Sequence, residues 1–113
     1  MAERTAAELA ALLAALANPL RLEIVAALVG GTTYVSQLAR DLGISRPLLN
    51  MHLQKLEAAG VVTSQLELSD DGKAMRYFAV TDFEQLLDAS TVARAVRRAG
   101  KPQRRDGARG ARQ

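Results

Sequence analysis

The chain has 113 residues, the length of a single domain, and Leu and Ala dominate its composition, which suits a helical protein. It has no cysteine, which excludes disulfides and thiolate metal sites. Residues 94–113 hold eight basic side chains and one acidic one, whereas residues 1–93 hold seven basic and eleven acidic ones. The basic isoelectric point therefore comes from the C-terminal end and does not by itself indicate that the folded part binds nucleic acid.

The N-terminal segment has the pattern of an amphipathic helix. Thr5 and Glu8 form a capping box, and leucines at 9, 12, 13 and 16 then follow helical spacing to about Ala17. Acidic residues near the start argue against a signal peptide. No stretch of about 20 uncharged apolar residues exists, so we expect no membrane span and a cytoplasmic protein. The alanine-rich remainder of this helix fits either a core helix or one that meets a second subunit.

Two further helices are predicted before residue 44. Asn18 and Pro19 start the second helix, which runs to about Val29 and ends at Gly30-Gly31. Thr32 or Thr33 is expected to cap a third helix from Tyr34 to Leu42. Gly43 then supplies a left-handed turn.

The fourth helix is the centre of the prediction. Ser45 caps it, and it runs to about Gly60 with two opposite sides. The inward side consists of Leu49, His52, Leu53 and Leu56, and the outward side of Pro47, Asn50, Met51 and Gln54. Two short helices joined by a turn that contains Gly form a helix-turn-helix, whose second helix enters the major groove of DNA.

After residue 60 the pattern changes to period 2. Val62–Leu68 and Met75–Val80 are predicted strands, and residues 69–73 form a turn between them, so the recognition helix is followed by a β-hairpin wing. A second capping box at Thr81 and Glu84 predicts a fifth helix to about Arg98. The fold class is therefore mainly α with a β-hairpin wing, in the order α-α-α-α-β-β-α. We expect one domain over residues 1–99 and a disordered basic tail over residues 100–113.

This order of elements resembles the ArsR (arsenic-repressor) family of winged helix-turn-helix regulators over about residues 9–97. The resemblance is carried by LANPLRLEIVAAL at 16–28, LARDLGISRPLLNMHLQKLEAAGVV at 38–62 and LELSDDGKAMRYFAV at 66–80. It implies a homodimer paired through the first and last helices, with one recognition helix of each subunit in the major groove of a palindromic operator. It also implies a sequence-specific transcription regulator, and many members of the family are repressors that release DNA when an inducer binds.

The resemblance also implies which side chains contact DNA. The base-facing set would be Ser45, Arg46, Pro47, Asn50 and Met51, and Lys73 and Arg76 on the wing would contact the backbone. Gln54 and Lys55 lie farther along the helix, where phosphate contacts are expected. Arg46 can read guanine or contact a phosphate, and Asn50 can read adenine. Met51 can touch a thymine methyl group or pack on the third helix.

The sequence departs from the metal-sensing pattern of that family. No cysteines stand at the start of the third helix, and the last helix offers Asp82, Glu84 and Asp88 without a histidine. The one histidine, His52, fits a structural role with one hydrogen-bonded nitrogen. We therefore expect no metal and no cofactor, and either a small organic effector or none. Tyr34 and Ser36 could line a small pocket, but a core tyrosine is the favoured interpretation of Tyr34.

An enzyme is not expected, since no catalytic residues or phosphate-binding loop can be assigned. Three functions therefore compete. The first is a dimeric regulator that binds double-stranded DNA. The second is a winged-helix module that binds another protein without sequence-specific DNA binding, supported by the acidic residues 1–93 and the wing-tip acids Asp70 and Asp71. The third is non-specific DNA binding through the basic tail.

Overall fold

The computed structural model describes residues 3–31 and 33–98. In these residues the elements follow in the order α1 (Ala6–Leu16), α2 (Pro19–Val29), β1 (Thr33–Tyr34), α3 (Val35–Leu42), α4 (Arg46–Ala58), β2 (Val62–Leu68), β3 (Ala74–Val80) and α5 (Ala89–Arg98). The described residues divide into two compact units, one within residues 12–83 and the other formed by residues 3–11 and 84–98. The domain boundary expected at residue 99 and the tail at 100–113 lie outside the described residues.

The unit Leu12–Phe83 is built around one apolar core. Its largest fully buried side chains come from the end of α1, from α2, α3 and α4, and from the start of the hairpin: Leu12, Ile24, Leu28, Leu38, Leu49, Leu53, Leu56, Val61 and Val62. Burying a side chain of this kind contributes about 1.5–3 kcal/mol. Each helix and strand that was predicted for this unit supplies at least one core residue.

The predicted helix starts at Thr5, Asn18 and Ser45 are confirmed. The Thr5 amide donates to Glu8 Oε1 (2.9 Å) and the Glu8 amide donates to Thr5 Oγ1 (3.2 Å), which is the reciprocal pattern of a capping box. Asn18 Oδ1 accepts from the amides of Leu20 (2.9 Å) and Arg21 (3.1 Å) at the start of α2. These caps hold because each of them needs only residues within one turn of the helix.

The start of the third helix was predicted wrongly. Thr33 does not cap it, and Tyr34 is its N-cap residue with no side-chain hydrogen bond. Thr33 and Tyr34 instead form the short strand β1, which pairs with Phe78 and Tyr77 of β3. Because these two residues are extended and pair with β3, they cannot form the first turn of the predicted helix. The third helix, α3, therefore begins at Val35. The alternative cap, Thr32, lies outside the described residues.

The predicted hairpin is confirmed, and it belongs to a three-stranded antiparallel sheet in the order β1-β3-β2. Strands β2 and β3 pair from Val62↔Val80 to Leu68↔Ala74. Phe78 and Val62 are buried in the core, whereas the far end of β2 extends past it and leaves Leu68 76% exposed. The hairpin therefore has a packed base and a free tip, the arrangement of a wing.

The fifth helix begins later than its predicted start. Residues 81–87 are not helical, and α5 starts at Ala89. The Thr81 hydroxyl does not cap a helix because it bonds the carbonyl oxygens of Gly60 (2.8 Å) and Val61 (3.0 Å). The start of α5 is stabilised instead by Asp88, whose Oδ1 accepts from the Thr91 amide (2.8 Å) while its own amide donates to Thr91 Oγ1 (2.9 Å).

No single helix among residues 3–31 and 33–98 is long and apolar enough to cross a membrane, and α1 and α2 pass such a test only when taken together as a sharply bent pair.

Candidate nucleic-acid interface

The turn between α3 and α4 sets the start of the recognition helix. Gly43 has φ 70°, a left-handed conformation that glycine adopts without strain, and the amides of Gly43 and Ile44 donate to the carbonyls of Arg40 and Ala39. Two residues later, Ser45 Oγ accepts from the Leu48 amide at 3.2 Å. Arg46 and Pro47 are therefore the first two residues of α4, and the helix-turn-helix predicted from the sequence is present.

One side of α4 is fixed in the core. Leu49, Leu53 and Leu56 are 0% exposed, and His52 is 6% exposed. A rotation of the helix about its axis would bring these side chains into water and polar ones into the core, which is unfavourable. The predicted inward side of α4 is thus confirmed, and the direction of its outward side follows from it.

The outward side of α4 presents the predicted contact residues to solvent. Ser45, Arg46, Pro47, Asn50, Met51, Gln54 and Lys55 are all exposed. Within the described part of the chain, no side-chain hydrogen bond or ion pair occupies Arg46, Asn50, Gln54 or Lys55. Met51 is 45% exposed, so it is not packed into the core. Cationic, amide and apolar groups therefore lie together on the first three turns of one helix.

Leu48 is a further exposed residue on this side that the sequence interpretation missed. It is 38% exposed and stands three residues before Met51, so the two apolar side chains are neighbours on the helix surface. The signal was present in the sequence as i, i+3 spacing. It was masked because Leu48 precedes the buried Leu49, and a pair of leucines favours a core assignment.

The two acidic residues of the wing tip, Asp70 and Asp71, have different surroundings. Asp71 accepts from the Ser69 hydroxyl and from the Lys73 amide (3.3 Å), and the Ser69 hydrogen bond lowers the pKa of Asp71 most. This carboxylate is therefore ionised and used within the turn, where Gly72 has φ 86°. Asp70 and the side chain of Lys73 are exposed.

Arg76 is linked to the recognition helix through Ser64. Arg76 Nη1 donates to Ser64 Oγ at 3.0 Å, and the Ser64 hydroxyl donates to Glu57 Oε2 at 2.9 Å. Glu57 belongs to the last turns of α4, so the chain of bonds joins both strands of the wing to that helix. Neither Ser64 nor Glu57 was assigned a role from the sequence, because their proximity depends on the strand register.

Tyr34 is not a core residue, contrary to the sequence-based interpretation. It is 39% exposed, and its ring meets the Tyr77 ring edge to face with centroids 5.5 Å apart. The Tyr77 hydroxyl bonds the side chains of Glu67 and Gln65, and the bond to Glu67 raises the pKa of Tyr77. Tyr34 is drawn to the outer side of the sheet because it belongs to β1 and not to α3.

His52 has the structural role expected for it. Arg21 Nε donates to His52 Nδ1 at 3.0 Å, so Nδ1 is unprotonated and accepts. Arg21 Nη1 also reaches the carbonyl oxygens of Ala15 (3.3 Å) and Ala14 (3.5 Å) near the end of α1. Burial, and then the positive charges of Arg21 and Lys55, lower the pKa of His52.

In the described part of the chain the possible metal-binding side chains are dispersed. Among residues 3–31 and 33–98 no three His, Cys, Asp or Glu side chains lie close enough together to hold one. Asp88, one of the three carboxylates predicted for the last helix, precedes α5 and accepts a hydrogen bond from the Thr91 amide. His52 has Nδ1 engaged with Arg21. Within the described residues of one chain, this donor set therefore does not fit a metal that prefers thiolate or imidazole ligands.

Comparisons with known proteins agree with the geometry of α3, α4 and the wing. A family model described as "Bacterial regulatory protein, arsR family" matches residues 18–64. An uncharacterized HTH-type transcriptional regulator of Methanocaldococcus jannaschii is 35% identical over 78 residues, which are 69% of this chain and 81% of that protein. The biofilm growth-associated repressor of Xylella fastidiosa is 38% identical over 63 residues, which are 56% of this chain and 55% of the repressor.

A solved structure gives the same architecture. The homodimeric winged helix-turn-helix DNA-binding domain of a "possible ArsR-family transcriptional regulator" from Mycobacterium bovis superposes with a TM-score of 0.58 at 27% identity. The match covers 65% of this chain and 63% of that one. The chain thus spans less than two thirds of the length of this domain and little more than half that of the Xylella repressor.

The stability of the protein is expected to depend on the protonation of His52. Its pKa is lowered from 6.5 in the folded chain, so the unfolded chain binds a proton first as the pH falls. The free energy of unfolding should be highest above pH 6.5 and fall below it, by at most about 1.4 kcal/mol per pH unit. Urea unfolding between pH 8 and pH 5 measures this slope.

His52→Gln is the matched control, because glutamine can still accept from Arg21 but does not titrate. The carboxylates with lowered pKa values (Glu3, Asp71 and Asp88) affect stability mainly at lower pH. Parallel stability curves for the variant and the wild type between pH 7 and pH 5 would contradict the prediction.

Proposed function

Because the chain belongs to the ArsR family of bacterial regulatory proteins, we propose that it is a sequence-specific, DNA-binding transcription regulator that places α4 in the major groove. The observation that carries this proposal is the exposure of Arg46 and Asn50 on a helix whose opposite side is fully buried. A fixed helix can present its side chains to base edges in one orientation, which is what discrimination between sequences requires.

Each exposed side chain of α4 has a DNA group that it fits. Arg46 can donate two hydrogen bonds to guanine, and Asn50 can pair with adenine. Met51 and Leu48 offer an apolar contact for a thymine methyl group, and this pair is the reason to prefer a base-facing role for Met51. Ser45 and Pro47 would approach the groove at the start of the helix, and Gln54 and Lys55 would meet phosphates farther along.

The wing supplies positioning contacts in this proposal. Lys73 and Arg76 are exposed cations on the hairpin, and phosphate contacts of such residues set register and orientation. The unit Leu12–Phe83 holds six basic and seven acidic side chains, so its overall charge does not attract DNA. The electrostatic part of the affinity therefore depends on individually placed cations, together with the basic residues after Arg94.

We further propose a homodimer that pairs through its first and last helices and binds a palindromic operator. The similar domain from Mycobacterium bovis is homodimeric. On this chain α5 exposes Val92 (42%) and Val96 (59%), apolar side chains that a partner subunit would cover. Two copies related by a two-fold axis present two recognition helices to two half-sites, which explains a palindromic operator.

The proposed sign of regulation is repression, supported by the relative that is named a repressor. In a reporter strain, deletion of the gene should raise expression from the regulated promoter; a fall in expression would indicate activation.

We also propose that the effector is a small organic molecule and not a metal. Because the donor set does not fit a metal, Zn²⁺ at stoichiometric concentration should leave operator affinity unchanged, and release of DNA would contradict this.

A protein-binding module remains the second candidate, since the acidic balance of residues 12–83 and the exposed Leu66 (60%) on the wing would suit a protein partner. A titration separates it from the regulator. The chain cut after Ala99 should bind a promoter fragment from its own locus in preference to a random fragment of equal length at moderate salt, by at least about tenfold. Equal affinity for the two fragments would exclude the regulator and leave the module.

Arg46→Ala is expected to weaken binding to the promoter by about 1–3 kcal/mol and to relax the preference at one base position. The reason is that a bidentate contact to guanine is lost while the phosphate contacts remain. Binding to a set of promoter fragments with single base changes measures it. Arg40→Ala is the control: Arg40 is an exposed cation on α3 whose Nη2 donates to Gln37 (2.7 Å). A uniform loss for Arg46→Ala on all fragments would make Arg46 a phosphate contact.

Val96→Glu is expected to convert the dimer to a monomer, because a buried unpaired carboxylate in an apolar interface is unfavourable. Light scattering coupled to size-exclusion chromatography gives the mass in solution. The matched control is Leu22→Glu, which places the same charge at a similarly exposed position (54%) on α2. If Val96→Glu remains a dimer, the proposed interface is wrong; if both variants dissociate, the effect is not specific to α5.

A further inference from the structure

The unit formed by residues 3–11 and 84–98 contains a partly open cavity of about 470 Å³ that none of the proposed DNA-contacting residues lines. Its lining combines cationic, polar and apolar side chains, chiefly Arg4, Leu9, Gln85, Leu86, Thr91 and Arg94. A volume of this size falls in the range of small-molecule sites, which are apolar pockets with a few placed polar groups.

A carboxylate of the chain itself already occupies the cationic end of this cavity. Glu3 Oε2 lies 3.2 Å from Arg94 Nε, and Glu3 Oε1 lies 3.3 Å from Arg98 Nη2. The charge of Arg94 lowers the pKa of Glu3 most, so this carboxylate is ionised at neutral pH. Two arginines from successive turns of α5 thus form a fork that holds both oxygens of one carboxylate.

The hold on Glu3 is weak enough to be exchanged. Both distances exceed the usual 2.7–2.9 Å of a strong charge-assisted bond, and the three side chains are 40–47% exposed. Exposed ion pairs of this kind contribute little to stability because water competes for both partners. Another carboxylate can therefore take the place of Glu3 without disrupting the fold.

The rest of the cavity defines the body of such a ligand. Leu9 and Ala95 are 5% exposed and form an apolar wall, whereas Leu86 is 69% exposed and would be covered by a ligand. Arg4 Nη1 donates to the Glu84 carbonyl and to Gln85 Oε1 (both 2.9 Å), which ties residues 84 and 85 of the lining to residue 4. The cavity therefore suits an apolar group attached to a carboxylate.

We propose that this cavity binds a small organic carboxylate with a compact apolar body, whose carboxylate replaces that of Glu3 on Arg94 and Arg98. Binding releases Glu3 from α5, the helix to which the proposed dimer interface belongs. The role of this site as an effector site rests on the proposed function. Binding of the carboxylate does not, since it involves residues 3–11 and 84–98 alone.

Benzoate is a suitable probe, followed by NMR amide shifts of the full chain without DNA. Benzoate should shift the amides around Thr91 and Arg94 in a saturable way. Benzamide lacks the charge and acetate lacks the apolar body, so each should bind at least roughly tenfold more weakly. Equal binding of all three, or no saturable shift with millimolar benzoate, would overturn the proposal.

Two variants test the exchange. Glu3→Gln removes the competing carboxylate and should strengthen benzoate binding by about two- to fivefold, as the small contribution of an exposed ion pair implies. Arg94→Gln should weaken it by roughly tenfold. Arg40→Gln is the charge-matched control, since Arg40 is an exposed arginine of α3 that lines neither this cavity nor the adjoining pocket around Glu3, Arg94 and Arg98, and it should leave the affinity unchanged. Weaker binding by Glu3→Gln, or equal losses in both arginine variants, would overturn the proposal.

The same samples keep the two proposals apart. If benzoate binds but the promoter is not preferred over a random fragment, the ligand site stands and the proposed function fails. If the promoter is preferred but benzoate does not bind, the ligand site fails and the proposed function stands. Where both hold, benzoate should weaken promoter binding by the wild type, and Arg94→Gln should abolish that effect.

Discussion

The burial of one side of α4 is the constraint on which the rest of the Leu12–Phe83 unit depends. Leu49, Leu53 and Leu56 have no exposed surface, and each contributes about 1.5–3 kcal/mol by leaving water. Successive residues of a helix are about 100° apart, so a shift by one position would put Asn50 and Gln54 into the core. The apolar side therefore decides which residues face outward, and the interface follows from the core.

His52 adds direction to this otherwise apolar contact. Contacts between leucine side chains have no preferred direction. A buried imidazole nitrogen, in contrast, must keep its hydrogen-bond partner. Arg21 is that partner, and the same guanidinium reaches the carbonyls of Ala14 and Ala15. One side chain of α2 thus fixes the axial position of α4 and closes the end of α1. The bond requires neutral His52, which is why stability and protonation are linked.

The sequence predicted features whose partners are close along the chain. The caps at Asn18 and Ser45 and the turn at Gly43 need only neighbours within a few residues, so residue type and spacing were sufficient. The buried side of α4 was also predictable, because helical periodicity needs no knowledge of the partner helix. The exposed site residues of that helix follow from the same periodicity, whereas their individual DNA contacts remain predictions.

The errors of the sequence-based interpretation have one physical cause, which is competition from distant groups. Thr33 pairs with Phe78, and the Thr81 hydroxyl bonds the carbonyls of Gly60 and Val61, so neither is free to cap a helix. Tyr34 is likewise exposed and not in the core because it pairs with Tyr77 of β3. Ser64 was missed because its neighbours Glu57 and Arg76 are brought together only by the register of the hairpin.

This chain of bonds also bears on how affinity and specificity are divided. The Ser64 hydroxyl bridges the Glu57 carboxylate and the Arg76 guanidinium, and Asp71 is ionised within the wing turn. Carboxylates so close to the proposed backbone contacts reduce attraction to phosphate and so reduce binding to any sequence. If α4 and the wing contact DNA as proposed, the unit Leu12–Phe83 brings no excess of positive charge to that contact. Apart from the basic residues from Arg94 onward, a larger share of its binding must then come from base contacts. Low non-specific affinity raises the ratio between specific and non-specific binding, and that ratio decides how well an operator is found among competing sites.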